Sequence, residues 1–285
     1  MKTSKPSRRL FVQGGAVALT SCLAMSAGRH VHAQPVNEQL RILCSGPAGS
    51  IPDIIARRVA EQLAGRFAHA AIVENRPGAA GQIAVGALKS ASSSASTVLL
   101  AQGAIATAYP FLYAKLAYDP SVDLQPVSLA GEMTLALAVG PSVPARINNV
   151  RELAQWMRQN PMLANVGSPG TGTLPHLLEV MLFKELEVPW QHVVYPGGPP
   201  AIVDLLGGRI AALVLPEGLL RQHKAAGRLR VLATSGAQRS AYLPDVEALV
   251  EQGYPDEPTR RQVGPGERVQ AMLSRSGPFR FTRPA

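Results

Sequence analysis

Short apolar, β-branched runs alternate with stretches whose apolar positions recur every three to four residues, and the pattern extends from residue 40 to residue 234. Such alternation predicts strands followed by amphipathic helices, the grammar of an α/β protein. Residues 40–45 read as a strand, 46–50 as a turn and 53–67 as a helix, with Ile54, Ile55, Val59 and Leu63 on one apolar face. A strand over 70–73, the turn Asn75-Arg76-Pro77-Gly78, a small-residue helix to about residue 90 and a strand over 97–101 follow. The alternation restarts with a strand over 135–139. Asn149-Val150-Arg151-Glu152 is a capping-box helix start, and that helix ends near Asn160-Pro161. Strands over 163–166, 192–194, 210–215 and 229–234 then alternate with helices over 173–186, 200–206 and up to about 226. Two sets of β-α units, with a break near 130–135, predict two α/β lobes.

The first residues follow a different rule. Residues 1–33 contain Lys2, Lys5, Arg8, Arg9 and Arg29 and no acid. An apolar run from 10 to 25 and the small-x-small site Val31-His32-Ala33 complete the layout of a secretory signal peptide. Ser7-Arg8-Arg9-Leu10-Phe11 resembles a twin-arginine export signal. Leu19-Thr20-Ser21-Cys22 loosely resembles a lipoprotein box, so lipid anchoring through Cys22 is the minor alternative to a free periplasmic protein. This division changes the meaning of the net charge of +9. Residues 34–256 hold 17 basic and 17 acidic side chains, whereas 257–285 hold six Arg against Glu257 and Glu267. The charge sits at the two ends, and a nucleic-acid partner is not expected. After cleavage only Cys44 remains, which excludes an intramolecular disulfide and a cysteine-based metal site.

Candidate chemistry lies in three strand–turn–helix junctions, at 45–53, 167–176 and 195–201. At a helix start several N–H groups lack intrahelical partners and the dipole is positive, so a glycine-rich turn there can cradle an anion. Plain βα turns with capping residues would look the same one at a time. Three of them at the strand ends of open α/β sheets favour a ligand site. The candidate residues are Ala48, Gly49, Ser50 and Asp53 in the first, Ser168, Gly170, Thr171, Gly172, Thr173 and His176 in the second, and Tyr195 and Gly197 in the third. His176 is as readily a structural histidine as a ligand contact. No G-x-S-x-G elbow, GK[ST] phosphate loop, complete G-x-G-x-x-G or close histidine pairing occurs, so neither an enzyme nor a cofactor or metal site is expected.

At these residues the chain resembles the Bug family of tripartite tricarboxylate receptors. Pro47-Ala48-Gly49-Ser50-Ile51-Pro52-Asp53 resembles its first ligand loop, and Glu74-Asn75-Arg76-Pro77-Gly78-Ala79-Ala80-Gly81 its ENRPGAGG signature. Leu112-Tyr113-Ala114-Lys115-Leu116-Ala117-Tyr118-Asp119-Pro120 is similar to LYxKLxYDP, and residues 167–176 resemble the second ligand loop. Asp204-Leu205-Leu206-Gly207-Gly208 and Leu243-Pro244-Asp245-Val246 complete a series running from about 40 to 256. The resemblance implies a two-lobed, type II-like periplasmic-binding-protein fold, each lobe a sheet flanked by helices. It implies capture of a small carboxylate by backbone groups and hydroxyls of the two loops, for a three-component membrane transporter or a sensor. The expected state is a monomer.

Departures qualify the expectation. Ser50 replaces a usual glycine, Pro196 a common lysine, and Leu215 and Ala211 stand where acids are frequent, so the expected ligand is less charged than an amino acid. Beyond Asp256 the resemblance stops, and 257–285 is rich in Arg, Pro and Gly without apolar periodicity. The expected division is a signal peptide over 1–33, lobe one over 34–130, lobe two over 131–230, a return to lobe one over 231–256 and a disordered, frameshift-like tail over 257–285. On that reading lobe one is incomplete. The competing readings are a degenerate copy without function and an exported hydrolase.

Overall fold

The computed structural model describes residues 37–92, 96–254 and 267–274. The expected signal peptide and most of the expected tail lie outside these residues. Within them the strands gather into two five-stranded sheets. The first is built from β1 (Asn37–Cys44), β2 (Ala68–Asn75), β3 (Ser96–Gln102), β4 (Leu124–Met133) and β10 (Glu267–Ser274), in the order β2-β1-β3-β10-β4. The second is built from β5 (Leu135–Val139), β6 (Asn165–Pro169), β7 (Gln191–Tyr195), β8 (Ala212–Pro216) and β9 (Arg230–Thr234), in the order β7-β6-β8-β5-β9. β1, β2 and β3 run parallel, as do β6, β7 and β8, and the remaining strands close each sheet antiparallel. Parallel strands need helical crossovers, which cover the faces and make the strands fully apolar. β8, parallel to β6, is buried at every position, and so is the antiparallel β5 at the centre of the sheet.

The helices that matter for function each start at the carboxyl end of a parallel strand. They are α1 (Ile51–Leu63) after β1, α2 (Gln82–Lys89) after β2, α7 (Leu174–Glu185) after β6 and α8 (Gly198–Leu206) after β7. Three short turns follow β3: α3 (Ala104–Thr107), α4 (Tyr109–Leu112) and α5 (Pro120–Asp123). In the second lobe α6 (Val150–Gln159) precedes β6 and α9 (Glu217–Ala225) follows β8. The predicted start of α6 is present: Asn149 Oδ1 accepts from the Glu152 N–H at 2.8 Å, and Glu152 Oε2 accepts from the Asn148 N–H at 2.7 Å.

Three expectations about chain division need correction. β4 carries lobe one to Met133, so Thr134 alone separates the two sheets, not the 130/131 boundary. The sequence hid this strand because it is mostly half-exposed and interrupted by Pro126 and Gly131. Residues 231–254 do not return to lobe one. β9 pairs with β5, Leu249 N–H donates to Thr234 O at 2.8 Å, and Gln252 Nε2 donates to Leu232 O at 2.8 Å, all within lobe two.

The return strand is β10, inside the segment expected to be disordered. It lies antiparallel between β3 and β4 and gives the first sheet a fifth strand, with Met272 fully buried. The Arg, Pro and Gly content of residues 257–285 masked the run Val269-Gln270-Ala271-Met272-Leu273. Among the described residues β10 supplies β4 with its sheet partner, satisfying backbone groups that would otherwise face an open edge.

Candidate functional site

The first loop, between β1 and α1, is held from below by one carboxylate. Asp53 Oδ2 accepts from the Gly49 N–H at 2.9 Å and from Arg57 Nε at 3.0 Å, and its Oδ1 accepts from Asn75 Nδ2 at 2.8 Å. The same Asn75 amide donates to Gly46 O at 2.9 Å, which ties the end of β2 to the loop. Burial alone would raise the Asp53 pKa, but Arg57, Gly49 and Asn75 outweigh it and hold the carboxyl below its usual range. Asp53 is 3% exposed, so its work is to shape the loop rather than to meet a ligand. Ser50 Oγ donates to Pro47 O at 2.6 Å, closing the turn before α1.

The segment after β2 has an unusual backbone. Gly78, Ala79, Ala80 and Gly81 have φ of 119°, 46°, 52° and 91°. Two consecutive alanines in the left-handed region are strained, and such strain concentrates where backbone must be presented to a ligand. The Tyr109 hydroxyl donates to Ala80 O at 2.8 Å and helps fix the turn.

The second loop, between β6 and α7, has its own support. Thr173 Oγ1 donates to Gly170 O at 2.8 Å, and His176 Nδ1 accepts from the Gly172 N–H at 3.1 Å. His176 must be neutral at that nitrogen to accept. Burial and then the neighbouring His192, whose ring lies 4.2 Å away, keep its pKa below the ordinary histidine range. Behind them His192 Nδ1 sits 2.9 Å from Glu179 Oε2. Burial raises the fully enclosed Glu179 carboxyl above the usual carboxylate range, against the opposing influence of His192, Ser168 and Trp190. The third junction turns its phenol away: the Tyr195 hydroxyl donates to Asp204 Oδ2 at 2.8 Å, and Arg209 pairs with the other oxygen at 2.7 Å.

These segments face one another across a cleft of about 510 Å³. Of the predicted residues, Ser50, Gly170, Thr171, Thr173, Tyr195 and Gly197 line it. Ala48, Gly49, Asp53, Ser168, Gly172 and His176 do not; they stand in or behind the loops. Sequence reasoning missed Ala79, Ala80, Gln82, Gln102 and Tyr113, which also line the cleft. Their sequence signal was the motif Glu74-Asn75-Arg76-Pro77-Gly78-Ala79-Ala80-Gly81 and the Tyr113 segment, which mark a resemblance but not which residues face a ligand. Among the described residues no Asp, Glu, Lys, Arg or His contributes to the lining.

The two lobes touch at the cleft. The Tyr113 hydroxyl donates to Thr171 O at 2.6 Å, from lobe one to lobe two. A Cβ on Gly170 would stand 3.2 Å from Ala80 Cβ, and one on Gly197 would stand 2.4 Å from Pro47 Cγ. At Gly197 the opposing lobe leaves no room for a side chain, and at Gly170 it makes one tight.

Comparison with known proteins places this geometry. The model of the tripartite tricarboxylate transporter family receptor matches residues 55–264. A UPF0065 protein of Bordetella bronchiseptica is 34% identical over 212 residues, covering 74% of this chain and 62% of that protein's length. The periplasmic binding protein BugD superposes with a TM-score of 0.73 at 25% identity, covering 83% of this chain and 76% of that one. Rpa4515 of R. palustris, solved with adipate, superposes with a TM-score of 0.76 at 24% identity, covering 86% and 79%.

Proposed function

The chain belongs to the receptor family of the tripartite tricarboxylate transporters, and from that membership we propose that it captures a small carboxylate outside the cytoplasmic membrane. The observation that carries the reading is the cleft lining. It presents the first turns of α1, α7 and α8 and the left-handed 78–81 turn, with no charged side chain among the described lining residues. Backbone N–H groups at helix starts favour an anion, and their fixed dipoles hold it without a counter-ion. A neutral acceptor can pair with those donors but lacks the charge that the helix dipoles reward. Rpa4515, which shares this fold, was solved with a carboxylate, adipate.

The hydroxyls that line the cleft favour binding over turnover. Ser50, Thr173 and Tyr195 each donate within their own loop or lobe, which fixes the walls. The supporting groups sit outside the cleft: Asp53 under the first loop and His176 under the second. Capture proceeds by closure, because an anion that contacts both lobes binds the closed arrangement better than the open one. The chain crosses between the sheets at Thr134 and again between β9 and β10, and Thr134 is the shorter of these two hinge positions. A periplasmic location and delivery to a membrane transporter or a sensor follow from the same reading, and the likeness to the periplasmic binding protein BugD supports the location.

Calorimetric titration of the purified chain with small carboxylates and with the matching primary amides tests the reading. Acids are expected to bind one to one and their amides not to bind. Equal affinity for acid and amide would refute it.

A further inference from the structure

The cleft is not uniform, and its asymmetry narrows the ligand. Resting on the carboxylate reading above, we infer that the site selects a monocarboxylate with an apolar body over dicarboxylates and amino acids. The carboxylate is assigned to the start of α7, where Gly170, Thr171 and Thr173 line the cleft. Around the start of α8 the cleft wall is largely hydrocarbon. A Cβ on Gly198 would stand 2.5 Å from Leu219 Cδ1 and 3.5 Å from both Leu215 methyl carbons. Val194 and Leu215 line the same wall from β7 and β8, and Met133 joins the lining from lobe one.

Leu215 and Leu219 therefore crowd the first turn of α8, where a second carboxylate would otherwise find a positive dipole. A distal carboxylate would be stripped of water against methyl groups, which is costly for any unpaired charge. A distal ammonium would fare no better, because no acid lines the cleft among the described residues. Glu217, which follows β8 directly, lies outside the lining and accepts from Ser240 Oγ at 2.8 Å. An apolar body would instead cover Val194, which is 55% exposed. Its burial converts apolar surface into affinity at about 25 cal/mol per Å².

Four probes of equal chain length separate these effects: hexanoate, adipate, 6-aminohexanoate and hexanamide, each titrated calorimetrically into the full chain. Hexanoate is expected to bind best, with adipate and 6-aminohexanoate at least about tenfold weaker. Adipate or 6-aminohexanoate binding as tightly as hexanoate would overturn this inference and leave the carboxylate reading intact. Hexanamide matching hexanoate would instead overturn the carboxylate reading itself. As a second arm, Val194→Lys places a cation on a half-exposed wall position that tolerates it. The ratio of adipate to hexanoate affinity should then rise at least about fivefold. An unchanged ratio in a folded variant would put the ligand's far end elsewhere and refute the assignment.

Discussion

Gly197→Ala isolates lobe closure from folding. Gly197 has φ of 169°, extended backbone that alanine adopts freely, so the substitution stores no local strain. The added methyl would stand 2.4 Å from Pro47 Cγ and 2.7 Å from its Cδ, and Pro47 belongs to the other lobe. Ordinary contact begins near 3.4 Å, and a change of ring pucker can move the proline Cγ but not carry Cδ, bonded to the backbone nitrogen, out of the way. The lobes must therefore part by roughly 1 Å to admit the methyl. Overpacking of this kind costs about 1–3 kcal/mol. The unliganded chain can relieve that cost by opening, whereas the closed complex cannot. The dissociation constant for a bound carboxylate should rise about 5- to 150-fold, while the unfolding free energy of the free protein stays within about 0.5 kcal/mol of the parent. Titration calorimetry reads the first quantity and denaturant unfolding the second. Gly86→Ala is the control, since nothing lies within 4 Å of its would-be Cβ. If Gly197→Ala folds normally and binds within about twofold of the parent, the contact between Pro47 and Gly197 is no part of the bound state and the closure argument fails.

Three further outcomes follow from the same structure. Tyr113→Phe removes the hydrogen bond to Thr171 O and should weaken carboxylate binding about 2- to 12-fold, from about 0.5–1.5 kcal/mol, with little change in unfolding free energy; unchanged affinity would mean that the bond is absent when ligand is bound. Met272→Ala should lower unfolding free energy by about 2–5 kcal/mol, measured by denaturant unfolding, because this side chain fixes β10 into the first core. A negligible loss would show that the strand is not docked there. The last outcome concerns pH. His176 is held below its usual pKa, so the unfolded chain takes up that proton first as pH falls through about 6.5. Its contribution is therefore present above that pH and is lost as pH falls toward the folded value. Glu179 acts in the opposite sense, since its raised pKa gives stability below the ordinary carboxylate range that is lost as pH rises through the folded value. His176→Asn should flatten the loss of thermal stability as pH falls from about 7 through the unfolded value of about 6.5; an unaltered slope would assign that loss to other groups.

Periodicity made much of this fold legible. The runs that became β5 and β8 are buried at every position and read as unbroken apolar segments, while the buried residues of β1 (Leu40, Ile42, Leu43 and Cys44) are interrupted only by Arg41. β4 and β10 were illegible for opposite reasons. β4 is half-exposed and carries Pro126, while the short apolar run of β10 was averaged away by its Arg- and Pro-rich surroundings. The glycine-rich junctions were visible because glycine reports directly on backbone conformation. Which of their residues reach the cleft was not visible, because that depends on rotation about each junction. Asp53 shows the difficulty: it sits in the first loop's motif yet faces Gly49, Arg57 and Asn75 from behind. Tyr113 shows the reverse, since it reaches lobe two from a segment far from any junction.

The central claim is that the cleft between the lobes binds a carboxylate, and thermal unfolding across a panel of small carboxylates tests it most directly. A ligand at a hundred times its dissociation constant adds about 2.7 kcal/mol, which raises the midpoint by about 5 °C or more in a protein of this size. The account predicts a cooperative transition moved upward by at least one acid and unmoved by its amide. A midpoint indifferent to every acid in the panel would contradict it.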